Sequence, residues 1–114
     1  MTKKIEIVRG TSQTIEIEVM DEEGNSYTLA EGERLLFGVK RDIKDANFVI
    51  FKQVARTENG VYTLDIEPAD TLGLEIGRYV YDVGLEKGTK YFPVIKVSPF
   101  VIEPNVTKWG DTVD

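Results

Sequence analysis

The sequence has neither histidine nor cysteine among its 114 residues. Without histidine, Ser-His-Asp and Cys-His catalytic arrangements and His-ligated zinc are excluded. Without cysteine there are no disulfides, thiolate metal sites, iron–sulfur clusters or thiol nucleophiles, and the redox compartment is left open. Long apolar runs are missing too. The longest are Phe48-Val49-Ile50-Phe51 and Phe100-Val101-Ile102, far short of the roughly 18–20 residues that span a bilayer. Basic residues are outnumbered, 14 Lys+Arg against 20 Asp+Glu, giving a net charge of −6 and a pI near 4.7. The basic footprint of nucleic-acid binding is therefore absent. Neither a membrane nor a nucleic acid is expected as a partner. Met1-Thr2-Lys3-Lys4 has the charge of a signal-peptide start, but Ile5-Glu6-Ile7-Val8-Arg9-Gly10 puts charges where an apolar core would run. No export signal is expected, and the expected compartment is a cytoplasm.

What is present is material for one globular domain. The chain is 41% hydrophobic and carries five Phe, five Tyr and one Trp, and its length lies near the commonest domain size. A chain this long needs no metal or disulfide staple.

The periodicity is that of strands. Ile5 and Ile7 alternate with Lys4 and Glu6, and Ile15, Ile17 and Val19 alternate with Thr14, Glu16 and Glu18. The turn cluster Asp21-Glu22-Glu23-Gly24-Asn25 then leads to Tyr27-Thr28-Leu29, so residues 14–29 read as a hairpin. Leu35, Phe37 and Val39 form the next alternating set. Residues 48–54 are ambiguous, because Phe48/Ile50 and Val49/Phe51 are apolar on both phases. Glu58-Asn59-Gly60 is a hairpin signal before Tyr62, Leu64 and Ile66. Pro68 to Leu74 is the one segment with helix chemistry, a turn or two begun by Pro68 and stopped at Gly73. Tyr79, Tyr81, Val83 and Leu85 alternate after Gly77, and Glu86-Lys87-Gly88-Thr89 turns into Lys90–Val97. Pro99 interrupts before Phe100-Val101-Ile102. The count is eight or nine short strands with turns every 8–12 residues, which points to a β-sandwich or a small barrel. Residues 1–103 read as the domain and 104–114 as an extended tail.

Catalytic chemistry is sparse. Asp65 and Glu67 lie two apart on a strand, roughly 6–7 Å by the strand rise, a spacing that paired-carboxylate hydrolysis can use. They belong to no motif, and a solvated strand face is the plainer reading, as it is for Glu16 and Glu18. Asp21 to Asn25 has oxygen ligands and a glycine but not the register of a calcium loop, so it reads as a turn. Gly32 and Gly38 are too isolated for a phosphate loop. Asn105-Val106-Thr107 matches a glycosylation sequon by chance in the absence of an export signal. Ser12 and Ser98 have no activating partner. No catalytic residue, cofactor or metal is expected. Trp109, in the irregular tail, either covers an edge of its own sandwich or anchors a neighbouring subunit. Phe51, Phe100 and Val106 join it as candidate partner-interface residues.

Three stretches resemble a known family. Ile7-Val8-Arg9-Gly10-Thr11-Ser12-Gln13-Thr14-Ile15 with the turn Asp21 to Asn25 is similar to its opening strands. Leu64 to Leu74 with Gly77-Arg78-Tyr79-Val80-Tyr81-Asp82-Val83 resembles its strand, Pro-x-Asp-Thr helical turn and Gly-x-Tyr-x-Tyr-Asp strand. Phe100-Val101-Ile102-Glu103-Pro104-Asn105-Val106-Thr107 resembles its closing Phe-x-Ile-x-Pro-x-Val-Thr. The family is that of phage and prophage tail domains including the N-terminal domain of the baseplate upper protein. The resemblance implies an all-β, immunoglobulin-like antiparallel sandwich of about seven to nine strands, with Tyr79 or Tyr81 pinning a crossover. It also implies a non-catalytic structural role. Docking would use one sheet edge and the C-terminal tail, with other phage structural proteins or further copies of itself as partners. The expected location is the bacterial host cytoplasm during assembly and the virion afterwards. The alternative is a carbohydrate-binding or adhesion domain using Tyr91, Phe92 and Trp109.

Overall fold

A computed structural model describes residues 3–54 and 61–107. Seven strands and one short helix follow in order: β1 (Ile5–Val8), β2 (Gln13–Glu18), β3 (Arg34–Lys40), β4 (Ile50–Gln53), β5 (Val61–Ile66), α1 (Pro68–Leu72), β6 (Gly77–Lys87) and β7 (Lys90–Glu103). They form two sheets, one of five strands in the order β1-β7-β6-β3-β4 and one made of β2 and β5. The protein is an all-β sandwich, as the alternation and the resemblance implied. All pairings are antiparallel except β1 with β7, which run parallel through Ile5↔Phe100 to Val8↔Glu103.

The core lies between the sheets and follows the period-two pattern. Leu35, Phe37 and Val39 of β3 and Tyr79, Tyr81, Val83 and Leu85 of β6 point inward, meeting Ile17, Tyr62, Leu64 and Ile66 of the smaller sheet. Phe37, Tyr81 and Phe100 cluster with ring centroids 5.6–6.3 Å apart in tilted and edge-on arrangements, the geometry the aromatic quadrupole favours. Phe100 is wholly buried in this cluster, so it is a core residue and cannot serve the partner interface expected of it. Its phase along β7, shared with Ile102, sets it inward.

Tyrosine hydroxyls secure the corners. Tyr79 Oη donates to the Glu75 carbonyl at 2.9 Å, the local pin expected of Tyr79 or Tyr81, while Tyr81 donates to the Lys3 carbonyl, tying β6 to the residues before β1. Tyr62 acts similarly without having been anticipated. It accepts from Leu29 N at 2.8 Å and donates to the Tyr27 carbonyl at 3.0 Å. A further pin joins the β1–β2 turn to α1: Gly10, at φ 72°, donates to the fully buried Thr71 hydroxyl at 2.8 Å, and Arg9 Nε reaches the Leu72 carbonyl at 3.0 Å. A longer side chain at position 10 would meet Leu72 as well as strain the left-handed backbone.

Several local expectations gave way to tertiary pairing. Residues 14–29 do not close as a hairpin of two strands. β2 pairs instead with β5, and the returning chain is held past its end by the Met20↔Ser26 bridge and the Asp21 N to Asn25 O and Tyr27 N to Val19 O bonds. The ambiguous 48–54 segment resolves with Ile50 and Val54 inward and Phe51 outward. Pro99 does not interrupt β7, which continues for 14 residues. β1 flanks β7 only over Phe100–Glu103, so Pro93 and Pro99 fall where one side of β7 has no strand to receive an N–H. The helical turn is confined to Pro68–Leu72, with Glu67 N bonded to the Asp70 carboxylate at 2.7 Å. The Asn59-Gly60 turn and Trp109 lie outside the described residues.

Two outcomes test this architecture. Tyr62→Phe leaves the buried Leu29 N–H without its acceptor, and urea unfolding should register a loss of about 1–3 kcal/mol with an unchanged slope. Burial pushes the Tyr81 phenol up to about 12 from 10.0. The folded value lies above the unfolded one, so the contribution is complete below the unfolded value and is lost as pH rises through the folded one. Tyrosinate absorbance should show Tyr81 ionising late, with stability falling over that alkaline window.

Candidate functional site

The outer face of the five-stranded sheet is unusual in its glycines. On β3 the outward residues are Arg34, Leu36, Gly38 and Lys40, and on β6 they are Arg78, Val80, Asp82, Gly84 and Glu86. A Cβ at Gly38 would come within 2.5 Å of the Phe48 ring, and one at Gly84 would overlap the Tyr91 hydroxyl. Each glycine therefore lets an aromatic ring lie down on the sheet. Phe48, Phe51 and Tyr91 remain 47%, 53% and 57% exposed in doing so. Phe48 and Phe51 stack at 4.7 Å between centroids.

Charged groups lie between the rings. Asp82 stands opposite Gly38 and falls in the interval where the β6–β7 register shifts. Such an irregularity re-aims a side chain. Burial raises the Asp82 pKa, and the nearby Lys40 ammonium partly opposes that shift. Burial also raises the Tyr91 phenol, reinforced by Asp82 and Glu86. Lys40 Nζ sits 4.9 Å from the Phe48 centroid, within cation–π range. Gly38, Lys40, Phe48, Val80, Asp82 and Tyr91 line a groove of about 190 Å³, closed by Ile43 and Val97.

A second concavity, about 690 Å³, opens between the end of β2 with its following turn and the β6–β7 hairpin. Glu18 is the one β2 residue in its lining, so it opens past the end of β2, where residues 19–27 turn back through the Asp21 N to Asn25 O and Tyr27 N to Val19 O bonds. Val19, Leu85, Phe92 and Val94 give it an apolar wall, and Glu18, Asp21, Glu22 and Glu23 an acidic rim. Lys87 is held at its edge over the Tyr27 ring at 4.2 Å and beside Glu33 at 3.8 Å. The Tyr27 hydroxyl and Glu33 raise the Lys87 pKa, while the Ala30 N–H, then Tyr27 and Lys87, lower that of Glu33.

The residues singled out in the sequence scatter. Phe51 is exposed beside Phe48, and Val106 is fully exposed beyond β7; Phe100 is in the core. Tyr91 and Phe92 cannot share one binding surface, because successive strand residues face opposite ways. Tyr91 lies on the outer platform, whereas Phe92 lines the cleft. Asp65 accepts from the Thr14 hydroxyl at 2.8 Å. Asp21 spends one carboxylate oxygen on Glu23 N and Asn25 N, both at 2.9 Å, which makes it a turn residue. Ser98 bonds the Lys96 carbonyl at 2.8 Å, and the Asn105 amide donates to the Thr107 carbonyl. Among the described residues no three acidic side chains gather as a metal site, and no helix is long and apolar enough to cross a membrane. Sequence reading missed Phe48, Lys40 and Asp82 as a group. Only the β3–β6 register, with Gly38 facing Asp82, brings them together.

No family model matches the chain, and no curated protein does. Among solved structures, a "putative glycoside hydrolase" from Bacteroides vulgatus ATCC 8482 is similar with a TM-score of 0.51 and 11% identity. The likeness covers 90% of this chain and 17% of that one, and at this identity it concerns the fold alone.

Asp82 offers a check on the electrostatics of the platform. Its folded pKa is raised, so its contribution is full below the ordinary value of 3.8 and is lost as pH rises through the folded value. Asp82→Asn should therefore be the more stable protein at neutral pH. Paired urea melts should show the difference closing in acid.

Proposed function

We propose that this protein is a non-catalytic docking domain of a phage or prophage tail or baseplate, and that it engages its partner through the cleft beside β2. The observation that carries this reading is the cleft of about 690 Å³ past the end of β2, with its apolar wall of Val19, Leu85, Phe92 and Val94. The apolar wall supplies burial and the charged rim supplies orientation, the two ingredients of a groove that docks a protein segment. Glu18, Asp21, Glu22 and Glu23 outnumber Lys3 and Lys87 around the cleft, a balance that favours a partner segment carrying lysine or arginine. The resemblance of the Arg9-Gly10, Pro68-to-Thr71 and Phe100-to-Thr107 stretches to baseplate domains supplies the biological setting. In the fold the first two of these stretches interlock, Gly10 N on Thr71 Oγ1. The absence of histidine and cysteine from the sequence supports a role without catalysis, since acid–base and nucleophilic repertoires are correspondingly small.

Co-expression with the proteins encoded beside it, followed by chromatography with light scattering, tests the reading. The expected result is a stoichiometric complex with a tail or baseplate protein that Phe92→Glu and Met20→Glu weaken at least about tenfold. Both side chains are substantially exposed, so the fold should persist in the variants. A complex indifferent to both substitutions, or none with any such neighbour, removes the proposal.

A further inference from the structure

The platform on the outer sheet face is a different kind of surface from the cleft. Two of its rings cover glycines, and charged groups lie between them. Phe48 covers Gly38 and Tyr91 covers Gly84, while Asp82 and Lys40 line the groove that both rings also line. A protein partner burying this face would have to desolvate the Asp82 carboxylate, a large penalty unless it brought a matching donor. A lipid surface would meet the same carboxylate. A sugar ring brings the matching donors in its own hydroxyls. One face of a pyranose is a set of C–H bonds, which suit the electron-rich face of an aromatic ring, while its edge carries hydroxyls that donate to a carboxylate and accept from an ammonium. Small-ligand sites have this composition, mostly apolar walls with a few convergent polar groups. The groove, at about 190 Å³, is on the scale of a single sugar ring.

We propose that the outer face of the five-stranded sheet is a saccharide site, in which a pyranose stacks on Phe48 and Tyr91 and its hydroxyls bond Asp82 and Lys40. Phe51, stacked on Phe48 at 4.7 Å, extends the platform toward β4, so a second sugar unit continues in that direction. Among the described residues Asp82 has neither a hydrogen-bonded partner nor a salt bridge, which leaves its oxygens available to ligand hydroxyls. Gly38 and Gly84 act as positioning residues, since any side chain there lifts a ring off the sheet. The site is independent of the docking cleft, and the two can be disabled separately.

The test is a titration followed by amide NMR, with cellohexaose, chitohexaose and mannohexaose as probes at millimolar concentration. At least one should give saturable shifts confined to residues 36–40, 48–51, 80–84 and 91. Phe48→Ala, Tyr91→Ala and Asp82→Asn should each weaken that binding by about tenfold or more, and Gly84→Ala should do so without removing any contact group. Phe92→Glu, in the cleft, should leave it unchanged. Phe48 and Tyr91 are exposed, so a retained dispersed spectrum verifies that the variants fold. The proposal is overturned if none of the three sugars shifts these amides, or if the shifts survive loss of both rings. It is overturned equally if no sugar affects the unaltered protein while Phe48→Ala and Tyr91→Ala abolish a self-association seen by light scattering. In that case the face is a protein contact.

Discussion

Two strands lie against five, and the rest of the molecule is arranged around that imbalance. A sheet buries its apolar face only if another layer covers it, and β2 with β5 are too few to cover the inner side of β1, β7, β6, β3 and β4. The remainder is closed by chain that is not strand. Residues 19–30 fold back beside β2, with Leu29 in the core and the Tyr62 hydroxyl bonded to both Leu29 N and the Tyr27 carbonyl. At the opposite end α1 and the Gly10 turn cap the layer through the buried Thr71 hydroxyl. These polar bonds hold irregular backbone where a ladder would otherwise satisfy it. The covering stops short at the β6–β7 hairpin, and the cleft beside β2 is what remains uncovered.

The same sheet explains why the outer platform exists. β3 and β6 are central strands with partners on both sides, so their outward residues form a rigid floor. Gly38 and Gly84 create two recesses in that floor, and the Phe48 and Tyr91 rings fill them. The irregular β6–β7 register at Asp82 places a carboxylate between the recesses at a cost in desolvation. A sheet built for stability alone would carry an apolar or fully exposed residue there.

The alternation of Leu35, Phe37 and Val39, and of Tyr79, Tyr81, Val83 and Leu85, was enough to read the inner faces of β3 and β6 from sequence. Period two is a local property, and burial enforces it strand by strand. Pairing partners are not local. The turn at Asp21 to Asn25 has hairpin chemistry, yet β2 gains more by pairing with β5 across Ile17↔Tyr62, where Tyr62 belongs to the core. Pro99 carried a breaker signal that applies only where a strand is flanked on both sides. Phe100 was legible as a large apolar residue, but its inward phase depends on where β7 begins. The platform was the least legible feature. Gly38 is a lone glycine in sequence, and its meaning comes from Phe48 ten residues later and Asp82 across the sheet.

The two candidate surfaces also differ in what recognises them. The cleft offers an apolar wall, so its selectivity must come from the charged rim and from the size of Phe92 and Val94. The platform offers no free backbone, because Gly38 and Asp82 face each other in paired strands; its selectivity rests on side chains alone. A ligand there must be flat on one side, hydroxylated at its edge and small enough to sit between two rings. Tyr91 and Phe92, adjacent in the chain and facing opposite ways, divide these roles at one point of β7. One face of that strand therefore looks onto the cleft and the other onto the platform.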